Sequence, residues 1–82
     1  MDGVKYQSVL RTITPEEATR RLRDVGVSIG VETFKKGIRD KVFPFGDYIE
    51  MSKGVYLVYA SKFEAWIDER ITQEPIPQIP KN

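Results

Sequence analysis

The stretch GVETFKKGIRDKVFPFG, Gly30 to Gly46, decides how this chain is read. Val31, Phe34 and Ile38 fall at i, i+3 and i+7, which puts them on one side of a helix over residues 31–40. Glu32, Thr33, Lys35, Lys36 and Arg39 are left for the other sides. Gly37 lies inside and costs the helix roughly 1 kcal/mol against alanine. A close helix contact, a close approach by a partner and a plain propensity defect each account for it. The helix has to stop before Pro44, which forces Phe43 out of the α region. Gly46 permits a positive φ at the exit, and Val42, Phe43 and Phe45 are expected to fold back on the core.

Upstream, Thr14-Pro15-Glu16-Glu17 is the sharpest local signal. A threonine cap, proline at the first helical position and glutamate at the third make a capping box. Ala18, Leu22 and Val25 then mark one helical face, and Gly26 stops the helix at C′. Arg20, Arg21 and Arg23 lie mostly away from that face. The connector to the next helix is a handful of residues, the length of a helix-turn-helix joint. Residues 8–13 read as an extended strand leading into the first helix.

Downstream, residues 48–52 and 55–59 are strand-like runs joined at Lys53-Gly54, the pattern of a β-hairpin. A two-residue loop pairs Met51 with Tyr56 and Ile49 with Val58. Both faces of the hairpin carry apolar groups, so the buried one stays open. Ser61 and Glu64 are spaced as a second capping box, opening a helix to about Arg70 that buries Phe63, Trp66 and Ile67. Pro75, Pro77 and Pro80 make residues 72–82 a flexible extended tail beyond a domain over residues 1–71. The expected order is strand, helix, helix, hairpin, helix: a small α+β winged-helix.

Composition narrows the function. Eighty-two residues hold one core, with a stability margin of a few kcal/mol. Cysteine and histidine are both missing, which removes thiolate chemistry, the commonest metal ligand and the commonest general base. The adjacent carboxylates Glu16/Glu17 and Asp68/Glu69 do not face one another on a helix, and no glycine-rich phosphate loop is present. The expectation is a non-enzyme with no cofactor and no metal. No apolar run approaches a membrane span, so the expected location is the cytoplasm. Net charge is only +1, yet residues 20–41 hold seven basic side chains against three acidic ones. A nucleic-acid face and an ordinary solvated surface both produce that asymmetry.

Ile13-Thr14-Pro15-Glu16-Glu17-Ala18, Leu22, Thr33-Phe34, Lys36-Gly37-Ile38, Val42-Phe43-Pro44-Phe45-Gly46, the hairpin and Phe63-Glu64-Ala65-Trp66-Ile67 together resemble the small excisionase-like proteins of phages and integrative elements. These are related to the DNA-binding domain of MerR-type regulators. The resemblance spans about residues 12–70. It implies a winged helix with its second helix in the DNA major groove and its hairpin near the minor groove. Excisionases bend attachment-site DNA and recruit an integrase; other proteins of this shape are phage transcriptional regulators. Two departures are visible: Gly30 stands where related helices often begin with Ser or Thr, and the hairpin is poor in arginine.

The expected chemistry is phosphate neutralisation with base reading. Thr33, Lys35, Lys36 and Arg39 are the candidates on the second helix, with Lys41 just beyond it, Lys53 at the hairpin tip, and Arg20, Arg21 and Arg23 on flanking backbone. Glu32 and Asp40 are spaced to pair with Lys36. Tyr48, Tyr56, Tyr59, Phe43 and Phe45 suit core or sheet packing better than stacking on single-stranded bases. The expected partner is double-stranded DNA, with the protein a monomer or weakly self-associating there. A protein-interaction module, docking an integrase or recombinase through the tail and the acidic last helix, is the alternative.

Overall fold

The computed structural model describes residues 6–75. Along them run β1 (Thr12–Ile13), α1 (Pro15–Asp24), α2 (Val31–Arg39), β2 (Gly46–Ile49), β3 (Val55–Tyr59) and α3 (Ala60–Asp68). The strands form one antiparallel sheet in the order β1-β3-β2. This is a small α+β fold in which three helices accompany a three-stranded sheet. The expected opening strand is confined to Thr12–Ile13, which pairs with Tyr59 and Val58. Residues 72–75 are exposed and irregular, and the rest of the expected tail, 76–82, lies outside the described residues, as does 1–5.

Local chemistry accounts for the helix ends. The Glu17 amide donates to Thr14 Oγ1 at 3.0 Å, and the Thr14 amide donates to Glu17 Oε1 at 2.9 Å, closing the expected capping box. At the other end Gly26 takes φ 96°, its amide reaching the Arg23 carbonyl while that of Val27 reaches Leu22. That is a Schellman stop, as the glycine suggests. Helix α2 starts at Gly30 with no side-chain cap and ends in the same motif. Here, however, the left-handed residue is Lys41 at φ 60°. Gly46 does not take up positive φ; Gly26 and Lys41 do, among the described residues. The helix exit is therefore made two residues after Arg39, before proline and glycine are reached.

The core is aromatic. Phe34, Phe45, Phe63, Ile38 and Val58 are the largest fully buried side chains, joined by Ala18, Leu22 and Ile67. Phe45 lies 4.9 Å from Phe63 and 5.1 Å from Phe43, ring to ring, and Phe34 lies 5.4 Å from Phe43. Each buried phenylalanine is worth about 2–3 kcal/mol of transfer free energy. Trp66 is half-buried against Phe45 at 5.3 Å, with the Arg70 guanidinium 4.2 Å over its outer face. Val42 does not join them: it is 69% exposed, because the turn at Lys41 aims it outward while Phe43 turns in.

The hairpin register differs from the two-residue expectation. Tyr48 pairs with Tyr56 and Ile49 with Val55, so residues 50–54 form the loop. Ile49 thus meets Val55 rather than Val58, and both are partly exposed on the outer sheet face. Core packing selects this register. It sets Gly46 opposite the buried Val58, where a Cβ on Gly46 would fall 2.6 Å from the Leu57 carbonyl oxygen and 2.7 Å from Ile38 Cδ1. Gly54 is likewise used for space, since its Cβ would fall 2.5 Å from Tyr48 Cε1. The second capping box does not form. Helix α3 begins at Ala60, directly off β3, so Ser61 is already helical. The Glu64 carboxylate turns to Arg21 instead.

Gly37 is explained by the same aromatic packing: its Cβ would sit 2.3 Å from Phe43 Cε2. Replacing Gly46 or Gly37 by alanine should therefore destabilise, despite the helix propensity gained at Gly37. The obstacle at Gly46 is partly backbone and cannot swing away. Urea unfolding should show a loss of about 2–3 kcal/mol for Gly46→Ala and about 1 kcal/mol for Gly37→Ala.

Candidate nucleic-acid interface

The candidate residues on α2 separate into groups once their neighbours are known. Thr33, Lys36 and Arg39 are exposed, on the sides of the helix that Phe34, Gly37 and Ile38 do not use. Lys35 is half-buried at the seam between α2 and the hairpin, its Nζ 5.5 Å from the centre of the Tyr56 ring and 3.6 Å from a Glu32 oxygen. Lys36 donates to Asp40 Oδ2 at 2.5 Å, an i,i+4 pair one helical turn long. Glu32 pairs with Lys35, not Lys36. That is the nearer choice for Lys35, whose stem already leans towards the sheet.

Arg39 is oriented by the hairpin. Its Nη1 donates to the Tyr56 hydroxyl at 2.8 Å. The Tyr56 ring packs on Tyr48 with centroids 4.8 Å apart. The last turn of α2 and the middle of β3 are thereby joined through polar groups at the protein surface. Sequence reading gives Tyr56 no such role. Its partner is 17 residues away, and no local pattern links them. Strand parity supplies the signal: Tyr56 lies two residues from the buried Val58, hence on the sheet face that meets α2.

Lys41 and Lys53 are exposed, one in the left-handed turn after α2 and the other in the hairpin loop. A left-handed conformation costs a side-chain-bearing residue about 1–2 kcal/mol, so a lysine is held where glycine would be easier. On α1, Arg20 and Arg23 are exposed. Arg21 is not free in the same way. Its Nε and Nη2 make a two-pronged contact with the Glu64 carboxylate, both at 2.9 Å, tying α1 to α3. Arg21 and Glu64 lie 43 residues apart on different helices, so sequence alone offers either as a surface charge.

Several carboxylates of this surface are held below their ordinary range. Hydrogen bonding to Arg21 lowers Glu64, with its charge adding to the effect, and the Lys36 ammonium does the same for Asp40. For Glu17 the Thr14 backbone amide is the main cause. Among the described residues no group of acidic side chains is arranged to hold a metal ion, and no helix is long and apolar enough to cross a membrane. Thr33, Lys36, Arg39, Lys41, Lys53, Arg20 and Arg23 present cations and hydrogen-bond donors at the surface.

A carboxylate lowered in the folded state stabilises the fold above its ordinary value, 4.5 for Glu64, and that contribution fades as pH falls through the lowered value. Glu64→Gln should therefore lower Tm by roughly 2–4 °C near neutral pH, a small effect because both partners are part-exposed and screened. The gap between variant and wild type should close on acidification below about pH 4.5, read by thermal melts across pH. A gap independent of pH would show that the pair contributes nothing through its charge.

No protein-family model, no curated protein and no solved structure matches this chain.

Proposed function

We propose that this is a winged-helix protein that binds duplex DNA for a phage or mobile element, as an excisionase-like architectural factor or a transcriptional regulator. The observation that carries the reading is the outward side of α2. It exposes Thr33, Lys36 and Arg39, and the β2–β3 hairpin is fastened beside it through Arg39 and Tyr56. In this reading α2 enters the major groove and the hairpin is the wing. Arg39 reads a base edge and Thr33 meets a thymine methyl or a phosphate. Lys36, Lys41 and Lys53 neutralise phosphates, and Arg20 and Arg23 meet flanking backbone. Arg21 belongs to the scaffold rather than the interface, because Glu64 occupies its fork. Lys41 supports the reading further: a cation kept at φ 60° trades local stability for charge at the helix exit. An integrase or recombinase is the protein partner the excisionase form of the reading calls for.

A second reading, docking of a partner protein, is favoured by a groove of about 710 Å³ between the ends of α1 and α3. Val25, Val27, Trp66 and Ile71 line it, beside the point where the proline-containing segment leaves α3.

Salt titrations separate the two. Duplex DNA should bind with a log–log salt slope of about −0.9 per phosphate neutralised. Replacing Lys35, Lys36 and Arg39 together by alanine should weaken binding and flatten that slope by no more than about 1, since Lys36 is the phosphate contact among the three and Asp40 already engages it. Asp40→Asn should release Lys36 and steepen it by up to about 1. If no duplex, the element's own attachment or operator DNA included, binds better at low salt than a neutral polymer control, the DNA reading is lost.

Lys41→Gly gives an opposed pair of outcomes. It should stabilise the fold by about 1 kcal/mol in urea unfolding, by relieving the left-handed turn. It should also weaken duplex binding and flatten the slope by about 1. Unchanged binding would remove Lys41 from the interface.

A further inference from the structure

We propose that Tyr56 is a positioning residue for Arg39, so that the hairpin sets how the helix discriminates bases. The inference deepens the duplex-binding reading and rests on it.

Arg39 sits in the last turn of α2 and is exposed, a place where an arginine ordinarily samples many rotamers. Here its Nη1 is taken by the Tyr56 hydroxyl at 2.8 Å. A guanidinium carries its donors in a rigid fork, so engaging Nη1 leaves the Nε–Nη2 edge to face a partner. That edge carries two parallel N–H donors and can make paired hydrogen bonds with the O6 and N7 atoms of a guanine. Arg21 uses the same edge on Glu64.

The hydroxyl can serve as a fixed point only if the ring is fixed. Its neighbours make it so. Tyr56 is registered across the strands with Tyr48, and their rings lie 4.8 Å apart. Tyr48 in turn lies against Gly54, where there is no room for a Cβ. The Lys35 ammonium covers the Tyr56 ring at 5.5 Å from its centre. Asp40, the carboxylate next in sequence to Arg39, takes its hydrogen bond from Lys36 rather than from the guanidinium. The tyrosine hydroxyl is therefore the group that orients Arg39, and it belongs to the hairpin rather than to the helix that would read the bases.

Tyr56→Phe removes the hydroxyl and keeps the ring on which Tyr48 and Lys35 rest. A pool of duplexes randomised over one helical turn would first give the preferred site of the wild type. Affinities for that site and its single-base-pair variants would then be compared for wild type, Tyr56→Phe, Arg39→Ala and the double variant. Tyr56→Phe should keep non-specific affinity within about twofold and leave the salt slope unchanged. Discrimination at one base pair should fall about fivefold, the worth of one hydrogen bond. Arg39→Ala should abolish discrimination there, and Tyr56→Phe should add nothing in that background. In the free protein, rotation of the Arg39 guanidinium about its Nε–Cζ bond, followed by NMR of the Nη protons, should be faster in Tyr56→Phe.

If Tyr56→Phe discriminates as well as wild type while Arg39→Ala does not, or if the two effects add, Tyr56 has no positioning role and the duplex-binding reading stands. Unchanged rotation of the Arg39 guanidinium in the variant overturns the positioning role without DNA. A wild type with no preference among the duplexes overturns the base-reading role of Arg39 and this inference with it. A wild type that binds no duplex at all removes the functional reading as well.

Discussion

The aromatic contact between Phe34, Phe43, Phe45 and Phe63 is the constraint on which the other parts depend. Phe34 comes from α2, Phe43 and Phe45 from the turn after it, and Phe63 from α3. One cluster thus fastens the helix, the start of the hairpin and the closing helix. A chain of this length has little other interior to use, and the tightness of the cluster shows in what it excludes. Gly37 and Gly46 are small because Phe43 and Ile38 occupy the space a methyl group would need. Both glycines lie on the surfaces where α2 is pressed against its own exit and against the sheet. The outward side of α2 is presented in one direction because its inward side cannot shift.

That outward side is less positive than its lysines and arginine suggest. Asp40 engages Lys36, and Glu32 reaches Lys35. Such exposed pairs contribute little to stability, and their consequence lies in the field they leave. In the proposed DNA interface a polyanion approaching α2 would compete with carboxylates already in place, so affinity drawn from this helix would be moderate and salt-dependent. Arg39 is the exception, because a neutral hydroxyl rather than a carboxylate takes its hydrogen bond. An interface built this way takes its orientation from one arginine and its attraction from scattered lysines.

Much of the fold is legible in the residues. The Thr14 capping box, the glycine stop at Gly26, the buried side of α2 and the Phe63/Ile67 face of α3 all depend on neighbours within one or two helical turns, and each is found where local chemistry puts it. What was not legible depends on contacts distant in sequence. Lys53-Gly54 resembles a tight hairpin turn, but Gly54 is needed to admit the Tyr48 ring, and the register follows from seating Gly46 against Ile38. Ser61 and Glu64 resemble a cap, but β3 runs straight into α3 and Glu64 has a stronger partner in Arg21. Pro44 and Gly46 resemble the helix exit, yet the left-handed step falls on Lys41. Among the candidate site residues, the i,i+4 pair of Lys36 with Asp40 was readable from spacing. The fates of Arg21 and Arg39 were not, since each is decided by a residue on another element.

The two arginines show how one side-chain type is put to different uses by a single fold. Arg21 meets a carboxylate through both prongs, and the charge of each partner is cancelled by the other. Arg39 meets a phenol through one nitrogen and keeps its charge and its second edge. The difference lies chiefly in the partner: a carboxylate consumes the fork, whereas a hydroxyl aims it. A substitution that turns Tyr56 into an acid would therefore convert the second arrangement into the first. It would add an ion pair and remove the cation best placed to face a partner. The neutrality of the group beside Arg39 is thus as much a condition of the proposed interface as the arginine itself.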